Sequence, residues 1–169
     1  NSKDVDAALA VADLVVDCST TVDFPRLTSG SAHTARHASI FLTPNGKGSV
    51  LLLEDQARQC QLRTLEAQYY RALLSQSWGQ SHLDGHLGSF WSGASCRDIS
   101  YKLPHSSVVA HAATLAEQLI RRHLQPQAAI QAWHRDPETG SVQVFDMPVH
   151  VPVVRLRGPL TVHLDQGLE

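Results

Sequence analysis

What the chain lacks narrows it first. Its 169 residues hold only three cysteines, Cys18, Cys60 and Cys96. The number is odd and no two form a CxxC pair, which argues against a disulfide framework and against a cysteine zinc site, and leaves at least one thiol free. Long apolar runs are missing as well. None approaches the roughly 20 residues that a spanning helix needs, and the polar opening Asn1 to Asp6 carries no basic-then-apolar secretory signal. A strong charge of either sign is absent: the formal net charge is -2 and the pI about 6.6, with Lys and Arg scattered. There is thus no electrostatic footprint for a phosphate backbone or anionic lipid. The expectation is a soluble, cytoplasmic protein with neither nucleic-acid nor membrane partners. An initiator Met is lacking, and the closing Leu168-Glu169 is a pair often left by a cloning site before a tag. Residues 1–167 are therefore taken as the domain.

What is present is enough apolar content, 43%, for one ordinary domain with a core of its own. Asp6 to Ala12 reads as a short helix. Leu14-Val15-Val16-Asp17-Cys18 reads as a strand buried on both faces, which belongs in the middle of a parallel sheet. Val22 to Ser29 follows as a short helix or turn. Ala38 to Thr43 and Gly48 to Leu53 flank Pro44-Asn45-Gly46-Lys47, and an Asn-Gly between apolar runs predicts a hairpin. Gln56 to Leu74 has helical spacing in Leu62, Leu65, Tyr69, Ala72 and Leu73 and predicts one amphipathic helix or two short ones.

Ser75 to Ser100, rich in Ser, Gly, His and Trp, predicts a long irregular segment of the kind that carries function. A Ser106-Ser107 cap then opens a helix from Val108 to His123. Its apolar face would be Val108, Ala112, Leu115, Ala116, Leu119 and Ile120, with Arg121, Arg122 and His123 in the last turn, where the dipole favours cations. Ile130 to His134 and Ser141 to Phe145 form a second predicted hairpin across a breaker-rich turn. Val149 to Leu164, interrupted by Pro152 and Pro159, predicts extended edge segments.

Among residues able to do chemistry, Cys96 stands first. A thiolate needs exposure and a neighbouring positive charge; Arg97 supplies the charge, and Gly93-Ala94-Ser95 leaves room around the sulfur. The plainer alternative is a small thiol packed under a loop. Asp17 and Thr20 lie at a strand end, where α/β sheets place their ligands, and offer a carboxylate and a hydroxyl near phosphate, although helix capping is the commoner use of such residues. Cys18, beside Val15 and Val16, reads as a packed thiol, and Cys60 has no argument behind it. Two histidine pairs have helical ligand spacing, His33 with His37 and His82 with His86. Neither sits on a convincing helix and no Glu follows either first His, so HExxH chemistry is excluded and no metal site is expected.

The order of these parts is a strand ending in Asp17-Cys18-Ser19-Thr20-Thr21, a hairpin over Asn45 to Leu53, a loop with Cys96-Arg97, a long helix, and a last hairpin. It resembles the second half of the ThiF/MoeB adenylating enzymes, relatives of the ubiquitin-activating enzymes, over roughly Asp13 to Phe145. Leu65 to Tyr70 resembles in addition a bacterial subgroup associated with ubiquitin-like conjugation operons. The resemblance implies an α/β fold with a partly parallel Rossmann-like sheet, helices on its faces and antiparallel hairpins, truncated at its N-terminal strands. For the parent enzyme it implies ATP and magnesium as cofactors, adenylation of the C-terminal carboxylate of a ubiquitin-like or sulfur-carrier protein, and a homodimer. Cys96 would receive the activated group with Arg97 favouring its thiolate, and Asp17 and Thr20 would lie near the nucleotide.

Two departures accompany the likeness. Where the family places a magnesium-holding Asp, this sequence has Thr20, which offers no carboxylate to a hard cation. The family's Gly-rich nucleotide loop, with the Arg and Lys that follow it, is not in these 169 residues, so the chain by itself is not expected to bind ATP productively. Two rival readings follow. One is a non-catalytic module that docks a ubiquitin-like partner. The other is a cysteine hydrolase pairing Cys96 with His82, His86 or His105.

Overall fold

A computed structural model of the chain describes residues 2–19, 26, 35–83 and 103–152. The element order is α1 (Ser2–Val11), β1 (Leu14–Asp17), β2 (Arg36–Leu42), β3 (Gly48–Leu53), α2 (Leu62–Ser75), α3 (Gly79–Leu83), α4 (His105–His123), β4 (Ala129–Arg135) and β5 (Val142–Met147). Among the described residues the strands form one open five-stranded sheet in the order β1-β2-β3-β4-β5. The β1–β2 pair is parallel and the other three are antiparallel. The fold is α/β with a mixed sheet and a helix layer on each face. No helix among the described residues is long and apolar enough to cross a membrane.

The centre of the molecule is β3, buried along its whole length. Because side chains alternate across a strand, Val50 and Leu52 point to one face. There they join Leu62, Leu65, Tyr69 and Leu73 of α2 and Ile130 and Ala132 of β4. Leu51 and Leu53 point to the other face and join Leu115 and Leu119 of α4 with Ala38, Ala129 and Trp133. The apolar run expected to be doubly buried at Leu14 to Cys18 is thus found instead at Val50 to Leu53. Strand β1 is short, lies at the sheet's edge among the described residues, and leaves Val16 exposed. Periodicity gave both runs the same signature; only the pairing order separates them.

Both hairpins occur where the turn residues place them. Gly46 takes φ +66°, the left-handed conformation a glycine adopts without strain. The Asn45 carboxamide oxygen accepts from the Thr43 hydroxyl at 2.8 Å and from the Lys47 N–H at 3.0 Å. In the second turn the Asp136 carboxylate accepts from the Glu138 and Thr139 N–H groups at 2.8 and 3.1 Å. Those bonds hold its pKa below the usual carboxylate value.

Helix α2 starts six residues later than Gln56. Asp55 takes the N–H groups of Gln59 and Cys60 at 3.1 and 2.7 Å, and Arg58 adopts φ 53°, so residues 56–61 form a turn that a helix cannot cross. Helix α4 starts at His105 behind Pro104, with no side-chain cap, and Ser106-Ser107 fall inside its first turn. Its buried side is His111, Leu115 and Leu119, whereas Ala112, Ala116 and Ile120, expected on the apolar face, are exposed. Part of the predicted irregular segment is the short helix α3. Residues 148–152 have no regular structure. The expected Val22 to Ser29 turn, except Arg26, and most of the expected Val149 to Leu164 segment lie outside the described residues.

Candidate functional site

Strands β1 and β2 form the one parallel pair among the described strands, and Asp17 closes β1. The register sets Asp17 opposite Ser39. The buried carboxylate accepts the Ser39 hydroxyl at 3.4 Å and the N–H of Ser19 at 3.1 Å. No ion pair at 4.0 Å or closer is found for Asp17 among the described residues. A carboxylate fixed by two neutral donors at the carboxyl end of a strand is suited to receiving a cation or a ligand hydroxyl.

Next to it, Cys18 is exposed, not packed as its neighbours suggested. Partial burial of the sulfur, and then the charge of Asp17, raise its thiol pKa, so the thiol is protonated at neutral pH and is a weak nucleophile. Thr20, Cys96 and Arg97 lie outside the described residues, as do His33 and His86. Among the sequence-predicted site residues, the described part of the structure therefore places Asp17 alone.

Two polar networks escaped the sequence reading, and both join distant elements. Arg36, the first residue of β2, is buried. Its guanidinium donates to the backbone oxygens of Glu54 at 2.5 Å, His123 at 3.0 Å, Gln125 at 2.8 Å and Gln127 at 2.7 Å. It thus satisfies carbonyls left over at the end of α4. Burial lowers its pKa, opposed by the charges of Asp55 and Glu54. Glu54 is fully buried. One of its oxygens accepts the N–H of Leu62 at 2.9 Å, at the start of α2, and the other takes the Arg58 guanidinium at 2.8 Å and the N–H of His37 at 3.3 Å. Arg36, at the start of β2, and Glu54, just past the end of β3, are caps that these helices receive from outside themselves, and no local motif announces them.

Among the described residues no group of three or more His, Cys, Asp or Glu could hold a metal ion. His82 is enclosed by Trp78 and Phe145, whose rings stack 4.6 Å apart, and its Nδ1 lies 3.4 Å from the Tyr69 hydroxyl. Burial, and then nearby His134, push its pKa down to about 4. So enclosed, the His82 ring is neutral at neutral pH and packs between the α2 layer and β5; the Cys96 of the rival pairing lies outside the described residues. His111 Nδ1 lies 3.0 Å from the Ser49 hydroxyl across the α4 interface, and burial lowers its pKa too. His37 stands on strand β2 rather than on a helix.

Compared with protein-family models and with curated proteins, the chain matches none. Its function is therefore argued from the site. The described residues bring one carboxylate, Asp17, to a place where magnesium could be met, which suffices for an ion otherwise held by phosphate and water. They bring no phosphate cradle, and the 169 residues do not include the family's Gly-rich nucleotide loop. The residues at hand do not by themselves fit ATP, and nucleotide chemistry is not assigned to them.

Proposed function

We propose that the chain is the carboxyl-terminal half of a cytoplasmic, ATP-dependent activating enzyme of the ThiF/MoeB kind, acting on the C-terminal carboxylate of a ubiquitin-like or sulfur-carrier protein. The observation that supports this reading best is Asp17. It is a buried carboxylate with no ion-pair partner among the described residues, it ends the edge strand of the one described parallel pair, and it precedes a hairpin in the order the resemblance sets. In this reading Cys96 accepts the activated carbonyl or assists sulfur transfer, and Arg97 favours its thiolate. Any further magnesium ligand and the phosphate cradle belong to sequence beyond these 169 residues.

The unactivated thiol of Cys18 and the hydroxyl of Thr20 in place of a carboxylate favour one second reading, a ThiF-like module that binds a ubiquitin-like partner without chemistry. The test uses the full-length protein with ATP, magnesium and candidate ubiquitin-like carriers, reading pyrophosphate exchange and a thiol-reversible adduct on Cys96 by mass spectrometry. Exchange that survives Cys96→Ala while the adduct disappears is the expected result. Binding of a carrier without exchange or adduct selects the module reading, and absence of binding, exchange and adduct removes both.

A further inference from the structure

Beyond Met147, where β5 ends, the chain runs back over the start of α2 as Pro148-Val149-His150-Val151-Pro152. Two prolines without N–H groups bound this segment, and among the described residues none of residues 148–152 makes a backbone–backbone hydrogen bond. One side chain fixes it. The Gln68 carboxamide accepts the His150 N–H at 2.9 Å and donates to the His150 carbonyl at 2.7 Å, the two bonds that a neighbouring strand would otherwise supply. Val149 is half-buried against the α2-side core, while Pro148, His150, Val151 and Pro152 are exposed.

Beneath the segment lies Cys60, only 1% exposed. Its thiol donates to the same His150 carbonyl, with the sulfur 3.6 Å from the oxygen. That is contact distance, so no reagent reaches the sulfur from this side while residues 148–152 are in place. We propose that residues 148–152 are a strap that opens as a unit while the sheet and both helix layers stay folded, and that its opening gates access to the Cys60 thiol. Few buried apolar contacts and hydrogen bonds that lie at the surface mark a segment at the low-stability end of a fold. Strand β3, buried along its whole length, is the opposite end. The backbone of Cys60 is held independently of the strap, because Asp55 takes its N–H at 2.7 Å. The thiol is thus sheltered at rest and presented on opening. This inference does not depend on the adenylating reading.

The test is the rate at which iodoacetamide alkylates Cys60 in the whole chain, followed peptide by peptide by mass spectrometry across a urea series that ends below the unfolding midpoint. Cys18, which is exposed, supplies an ungated thiol in the same digest. Opening of so short a segment uncovers little surface, so the Cys60 rate should be nearly independent of urea, whereas exposure through global unfolding rises steeply with it. Gln68→Ala removes both bonds to His150 and should raise the rate about tenfold. Leu115→Ala weakens the other core, on the far face of the sheet, and should leave the rate within about twofold of wild type. A Cys60 rate that climbs with urea in step with unfolding, or that Leu115→Ala raises as much as it raises unfolding, overturns the proposal. So does a rate that Gln68→Ala leaves unchanged, because the sulfur would then be reached through the turn at residues 56–61.

Discussion

At the scale of single residues, His82 sets how the protein responds to acid. Its ring is buried against Trp78 and Phe145, and burial together with His134 pushes its pKa down to about 4 from an ordinary 6.5. The unfolded chain thus takes up a proton that the folded chain refuses. The stabilisation is fully present above about pH 6.5 and is lost as pH falls from there to about 4, a loss of about 3 kcal/mol for a shift of this size. Denaturant titrations at several pH values should show that slope in the wild type. His82→Phe keeps an aromatic ring in place and has nothing to titrate, so its stability should fall less steeply over the same window, with His111 supplying the remainder. Equal slopes in the two proteins would show that His82 is not the titrating group. The spacing of His82 and His86 pointed to a possible ligand pair, and nothing local indicated enclosure. Phe145 stands more than sixty positions along the chain, and only the sheet brings it over the ring.

At the scale of elements, what could be read and what could not divide by the range of the cause. Turn chemistry is local, and the Asn45-Gly46 and Asp136 to Gly140 turns put both hairpins where the structure has them. The apolar spacing of Leu62, Leu65, Tyr69 and Leu73 likewise marked α2. Helix ends depend on partners elsewhere. Helix α2 begins where Glu54 of the preceding segment accepts its first N–H, and α4 ends in the guanidinium of Arg36. Sequence logic looked for the complement to the α4 dipole within its own last turn. In the structure Arg122 of that turn reaches Gln131 at 3.2 Å and Asp146 at 3.0 Å, and a residue from β2 provides the cap. Arg36→Met takes the donor from the buried Glu54 carbonyl and from the part-buried carbonyls of His123, Gln125 and Gln127, and should destabilise the protein by about 3 kcal/mol by chemical denaturation. Amides near the end of α4 should lose exchange protection. A loss below about 1 kcal/mol would mean that water replaces the guanidinium.

At the scale of the whole molecule, the α/β class and the hairpin order were legible because each apolar run keeps its period, but the position of β1 was not. Leu14 to Val16 and Val50 to Leu53 are both unbroken apolar runs, and burial on two faces is a property of neighbours, which a single run does not contain. The candidate site shares that limit: Asp17 could be named from its motif, whereas its contact with Ser39 follows from the β1–β2 register. The central place of β3 has a consequence for cooperativity. Adjacent residues of that one strand, Leu51 and Leu52, build opposite cores, so neither helix layer can detach without exposing a strand that the other layer needs. Leu65→Ala, in the α2 layer, removes a fully buried side chain and should cost about 2–5 kcal/mol. If the sheet couples the layers, native-state hydrogen exchange should show the slowest amides of α4, such as those of Leu115 and Leu119, losing the same free energy of protection although they lie on the far face. If instead protection falls in α2 and stays unchanged in α4, the two layers open as separate units and β3 does not join them into one cooperative fold.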